Sequence, residues 1–332
     1  MLAIKKNDTD AVVIHSGGLD LRHLGNKPLE MHAGEHVLAL MGFASTQLDS
    51  SDFGIPLAPL DPSCDASAWI SDQEPQITHP SESLTLTQTD QLMFGTVRLP
   101  AERIEHATSQ AYRSIHNIMQ QHPGFRLMRL WNFFPGINLE EAGIERYRRF
   151  SRARHDVLAS SGYRMSSDLP AACAVGSKEG PLVVHFLAGN GAITTLENPR
   201  QVSAYRYPRV YGPRSPSFSR AIIHTTAQGR QLFFSGTASI IGHETIAPSD
   251  PEMQTRVTLD NLSALLEAAQ YPPIHSLGSL ASWVVYIRDP SHIDLIRPLI
   301  SNQIHPDSRI VYLQGDICRK DLMVEIEGTI FC

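Results

Sequence analysis

What the chain lacks narrows its chemistry first. No apolar run within its 332 residues approaches the roughly 20 residues of a membrane-crossing helix. Its only cysteines, Cys64, Cys173, Cys318 and Cys332, lie far apart and form no CxxC pair, which suits a reducing compartment better than a disulfide framework. Positive charge is not in excess. A formal net charge of −6 argues against nucleic acid or anionic lipid as a main partner. The opening "MLAIKKNDTD" carries lysines but no apolar segment ahead of its acids, so no signal peptide is expected and the cytoplasm is the expected location.

Cofactor signatures are missing too. "GNGAI" lacks the strand–helix setting of a dinucleotide fingerprint, and "SGTAS" lacks the pattern of a nucleophile elbow. "MHAGEH" spaces His32 and His36 one helical turn apart but brings no third ligand, so no metal site is expected. The neighbouring His243 and Glu244 in "GHE" read as a loop hydrogen-bond pair rather than a catalytic dyad. Neither a metal nor a cofactor is expected.

One pattern is written twice. "AERIEHATSQAYRSIHNIMQQH" (101–122) places Ile104, Ala107, Ala111, Ile115 and Ile118 at helical spacing. A strand, "FRLMRLWNFFP", and a polar helix, "LEEAGIERYRRFSRARHDVLA", follow it. "AACAVGS" and "GPLVVHFLAG" then read as two strands joined by a short turn. From residue 231 the order repeats: strand "QLFFSGTASI", helix "EMQTRVTLDNLSALLEAAQ", strand "LASWVVYIRD", helix "PSHIDLIRPLISNQI", and a closing pair, "RIVYLQGDI" and "DLMVEIEGTI". In the long helix Thr258, Leu262, Leu265, Leu266 and Ala269 fall on one stripe. The repeat predicts two similar α+β units, residues 1–195 and 196–332, divided in "GNGAITTLENPRQ". Residues 51–83, rich in Pro, Ser and Asp and without periodicity, read as a long loop or insertion in the first unit.

The closing strand poses the sharpest question. In "KDLMVEIEGTIFC" the period of two puts Met323, Glu325, Glu327, Thr329 and Phe331 on one face and Leu322, Val324, Ile326 and Ile330 on the other. Either the strand is an edge with one wet face, or a carboxyl group is held against an apolar wall and kept protonated near neutrality.

The motifs "FFSGTASI", "QTRVTLDNLSALLEAA", "VVYIRD" and "VEIEG" of the second unit resemble the RidA (YjgF-like) proteins, and the first unit is a weaker echo. With two such units, and with "YRYPRVYGPRSPSFSRA", "SGTASIIGHE" and "YLQGDICRKDLMVEIEG", the chain resembles the chorismatases, most of all the branch that makes both 3- and 4-hydroxybenzoate. That resemblance implies two mixed β-sheets, each with helices packed on one face, and an active site at their junction. It implies chorismate as the small-molecule substrate and release of pyruvate, with hydroxybenzoates feeding aryl-polyene pigment and ubiquinone synthesis. Two units in one chain can replace intersubunit contacts, so a monomer is compatible with it. Three alternatives stay open: hydrolysis of chorismate to a dihydroxycyclohexadiene carboxylate, imine deamination as in small RidA enzymes, and a non-catalytic sensor of an aromatic or keto acid.

By the same resemblance Glu325 is the acid that protonates the enolpyruvyl methylene; Glu327 reads as a structural or supporting residue. Cys318, seven residues before that acid, would steer the ring intermediate, with Ala238 shaping the opposite wall. A dianionic substrate needs planar cationic donors. The loop "YRYPRVYGPRSP" supplies Tyr211 and Arg214 as candidates, the helix "IERYRRFSRARH" supplies Arg148 and Arg154, and Arg309 sits where small RidA enzymes keep a carboxylate-binding arginine.

Overall fold

The structure, a computed structural model, describes residues 4–6, 18–24, 29–43, 53–61 and 64–331. Most of the opening decapeptide and Cys332 lie outside the described residues. Among the described residues no helix is long and apolar enough to cross a membrane.

Two large mixed sheets dominate, and they have the same topology. The first runs in space Ala171–Ser177, Arg126–Pro135, Leu182–Gly189, Leu92–Leu99, Leu84–Gln88, Gln76–Ser81. The second runs Arg309–Gln314, Ala281–Ile287, Val324–Phe331, Gly229–Phe234, Ala221–Thr226, Ala192–Leu196. In each, one parallel pair at the edge is followed by antiparallel neighbours. The expected two-strand closing pair is therefore corrected in both units. "AACAVGS" and "GPLVVHFLAG" are strands, but Arg126–Pro135 lies between them, and Ala281–Ile287 separates the last two strands in the same way. The reason is the helical crossover, which returns the chain parallel to the strand it left; the final strand then joins on that strand's other side.

Helices α1 (Ile104–Gln121) and α2 (Arg146–Ser160) cover the first sheet, and α3 (Pro251–Ala268) and α4 (Ile293–Ser301) cover the second. The predicted stripes are the buried faces: Ile104, Ala107, Ala111, Ile115 and Ile118 pack on one sheet, Leu262, Leu265 and Leu266 on the other. Asp250 caps α3 by accepting from the Met253 amide at 3.0 Å, with Pro251 in the first turn. Helix α2 starts later than its pattern suggested. "EEAGIE" forms a two-strand hairpin, Glu140–Glu141 with Ile144–Glu145, whose turn needs positive φ at Ala142 (50°) and Gly143 (77°).

The sheets turn their other faces toward one shared core. Phe94, Trp131, Phe133 and Val175 come from the first, Phe233, Tyr286, Leu313 and Phe331 from the second. Here the structure departs from the expectation for residues 51–83. The segment carries strands Ala66–Ser71 and Gln76–Ser81, and the former is the middle of a three-stranded sheet with Leu19–Leu24 and His36–Gly42. Every residue of Ala66–Ser71 is buried whereas Gln76–Ser81 is exposed, so a composition of turn-forming residues conceals one core element. Trp69 wedges between the large sheets, its ring 5.7 Å from Trp131 and 6.4 Å from Phe233. The second sheet begins at Ala192, inside the stretch 189–201 where the division between units is expected.

Candidate active site

The closing strand, Val324–Phe331, is central in its sheet and every residue in it is buried. An edge strand with a wet face is excluded. Val324, Ile326 and Ile330 pack toward the helices, while Phe331 enters the shared core on the face that also bears Glu325 and Glu327. Glu325 stands opposite Tyr286 on one side and Ala238 on the other.

A bulge next to it makes room. Strand Gly229–Phe234 stops pairing after Phe233 with Thr329, and pairing resumes at Thr237 with Ile326, so one extra residue is accommodated. The expected continuous strand "QLFFSGTASI" is thus broken at Ser235–Gly236. The broken stretch is tied to the first sheet: Ser235 Oγ donates to Ser219 O at 2.5 Å and accepts from the Ala172 amide at 2.8 Å. Gly236 donates its amide to Ala172 O at 3.2 Å. A Cβ at position 236 would lie 1.9 Å from Glu325 Oε1, so only glycine leaves space for this carboxyl group.

Glu325 is 3% exposed, and its Oε1 has no hydrogen-bond partner. Burial pushes its pKa up to about 8, the Glu327 charge adds to the rise, and Arg129 and Arg220 oppose it. At neutral pH this group is a carboxylic acid. Glu327 differs: it is ion-paired with Arg129 and accepts from Trp131 Nε1 at 2.8 Å, both from the first sheet.

Glu325 lines a cavity of about 720 Å³ at the junction of the units. The first unit contributes Asn138, the hairpin and the start of α2; the second contributes the 207–220 loop, the bulge and the loop before the closing strand. Of the predicted residues, Glu325, Cys318, Tyr211, Arg148 and Ala238 line it. Arg154 is buried one layer behind, its guanidinium 5.4 Å from the Phe150 ring and 5.8 Å from that of Phe218, a wall residue. Two predicted residues are elsewhere. Arg214 points to solvent and pairs with Asp156 at 3.1 Å. Arg309 binds Asp20 at 2.8 Å and the Leu21 carbonyl, because the three-stranded sheet docks at its strand's start.

Two arginines on the wall escaped the sequence reading. Arg220 donates to Tyr207 Oη at 2.7 Å and to Val202 O at 2.9 Å, leaving its Nε without a partner. Arg319 stacks on Tyr211 at 4.1 Å and on Tyr207 at 5.4 Å, leaving Nη2 without a partner. Their signals were present: Arg220 heads a strand immediately after the aromatic loop, and Arg319 follows Cys318. The Cys318 thiol is pushed up to about 12, by burial first and then by the Glu325 charge, so it stays a thiol. Tyr211 Oη lies 3.1 Å from His243 Nδ1, which places His243 against a wall tyrosine. The site thus joins a protonated acid to cationic and aromatic walls, an arrangement suited to binding an anion and giving it a proton.

The family described as chorismatase FkbO/Hyg5-like, N-terminal, matches residues 67–188. A 3-hydroxybenzoate synthase of Streptomyces hygroscopicus is 33% identical over 316 residues, 90% of this chain and 92% of that protein. A chorismatase of Streptomyces rapamycinicus is 32% identical over 275 residues, 80% of this chain and 82% of that protein. A crystal structure of a chorismatase superposes with a TM-score of 0.86 at 28% identity, covering 96% of this chain and all of that one.

Proposed function

The chain belongs to the chorismatase family, and on that premise we propose that it converts chorismate to 3-hydroxybenzoate and 4-hydroxybenzoate with release of pyruvate. Chorismate bears two carboxylates and an enol ether, so its site needs cationic walls and one proton donor. The observation that carries the reading is Glu325, a carboxyl group held neutral to about pH 8 on the wall of an arginine-lined cavity.

Glu325 protonates the methylene carbon of the enolpyruvyl group. The C–O bond to the ring breaks with its electron pair moving to oxygen, which becomes the keto oxygen of pyruvate. The oxygen of the neighbouring ring hydroxyl bonds to the carbon left behind, closing an arene oxide, and its proton restores Glu325. Opening of the oxide with migration of a ring hydrogen to oxygen yields either hydroxybenzoate. Hydroxybenzoate and pyruvate together have the composition of chorismate, so no water, oxidant or reductant is consumed. Arg220 and Arg319, each with an unpartnered donor, hold the carboxylates, and Tyr211 and Arg148 flank them. Cys318, as a neutral thiol, biases the opening of the oxide, and Ala238 keeps the wall beside Glu325 low.

The test is to incubate purified protein with chorismate alone and to separate the products by chromatography. Both hydroxybenzoates with equimolar pyruvate are expected. A dihydroxycyclohexadiene carboxylate as sole ring product would establish the hydrolytic alternative, and unconsumed chorismate would overturn the reading.

A further inference from the structure

Glu327 does not line the cavity, yet the first sheet grips it from two residues. Arg129 and Trp131 are two apart on one strand and share the face that meets the second sheet. Arg129 is 2% exposed, its guanidinium is 5.2 Å from the centre of the Trp131 ring, and both side chains bond the same carboxylate. A buried ion pair is a poor way to join two units that already share an apolar core, because desolvation offsets most of its attraction. Its position gives it another use. Glu325 and Glu327 are two apart on the closing strand, so their side chains leave the same face about 7 Å apart, in a dry core where one charge still acts strongly on another.

We propose that Glu327 is a positioning residue for the acid: Arg129 and Trp131 hold it as a fixed negative charge behind Glu325, so the first unit keeps the proton on the acid of the second. The proposal rests on the reading of Glu325 as the proton donor. The other groups facing Glu325 do not duplicate this charge. Arg129 and Arg220 act against it. Cys173 on the first sheet, Tyr286 on the neighbouring strand, Cys318 in the preceding loop and Tyr147 on α2 are all pushed up by burial and stay neutral. Glu327 is the negative neighbour.

Two measurements on the full chain test this: a ¹³C NMR titration of labelled glutamate carboxyls, and the pH profile of kcat/KM for chorismate. Glu327→Gln keeps the shape and removes the charge. Glu325 should then titrate about one pH unit lower, and the alkaline limb of the profile should move down with it. Should Glu327→Gln fold poorly because Arg129 is left buried and unpaired, the neutral double variant Arg129→Gln/Glu327→Gln serves instead, with a smaller shift in the same direction expected, because Arg129 opposes Glu327 and weighs less on Glu325. An unmoved or raised Glu325 titration, with activity lowered equally at every pH, would reduce Glu327 to a structural residue and overturn the proposal. The titration needs no turnover, so it decides the matter even if chorismate is not the substrate.

Discussion

Glu325 ties folding to pH as well as carrying the proposed chemistry. Its ordinary pKa is 4.5 and its folded value is about 8. Between those values the folded state holds a proton that the unfolded state has released, so stability is greatest below 4.5 and falls as pH rises to about 8. Glu325→Gln has no such titration. It should therefore gain a few kcal/mol on the parent between acid pH and pH 9, measurable by denaturant unfolding at both pH values. The same substitution cannot deliver a proton and should lower turnover roughly 10²–10⁴-fold. In the parent, kcat/KM should hold below pH 8 and decline above it, as the acid form is lost. Cys318 acts after the acid in this scheme. Cys318→Ala should still consume chorismate but shift the products away from 3-hydroxybenzoate, toward the 4-isomer or the dihydroxycyclohexadiene acid. Chromatography at matched consumption measures that ratio, and an unchanged ratio would make Cys318 a packing residue.

Between elements, the repeat explains why one unit carries the acid. Leu182–Gly189 holds the place of the closing strand in the first sheet's order, and its sequence, LVVHFLAG, contains no carboxylate, so the first unit has no acid on that strand. The bulge at Ser235–Gly236 is the second device. It links the second sheet to Ala172 of the first and leaves the space that the Glu325 carboxyl occupies. Gly236→Ala would push that carboxyl aside. Activity should fall about as far as in Glu325→Gln, at a stability cost of roughly 1–3 kcal/mol for the overpacked site. Paired turnover and thermal-melting measurements would separate the two effects. Near-normal activity would show that the strand can yield.

For the whole molecule, the shared core is the joint that holds the cavity open at a fixed width. Trp69, from a segment that looked like a loop, fills the space between the large sheets. Trp69→Ala should cost roughly 3–5 kcal/mol, whereas Trp69→Phe should cost less, as read from unfolding midpoints. The chemistry assigned to the junction is proton transfer and C–O cleavage by side chains of both units. Exhaustive chelation should therefore leave pyruvate release unchanged. A loss restored by a divalent ion would mean that the site works with a metal.

Local pattern was enough for everything that repeats along the chain. The helical stripes from Ile104 and Thr258, the two-unit order, and the face shared by Glu325 and Glu327 follow from spacings of two to four residues. The resemblance carried by "VEIEG" and "ICRKD" then pointed to Glu325 and Cys318. Tertiary structure decided the rest, because it depends on neighbours distant in sequence. Strand order was one such matter, since a crossover inserts Arg126–Pro135 and Ala281–Ile287 between strands that are consecutive in the chain. The choice of arginines was another. Nothing in the flanking sequence tells where each side chain points: loop geometry aims Arg214 at Asp156, and the three-stranded sheet claims Arg309 through Asp20, while Arg220 and Arg319 reach the wall. The elevated pKa of Glu325 was the last: an acidic residue in an apolar strand is legible, but its burial between two sheets and beside a charge pinned by Arg129 exists only once both units are folded together.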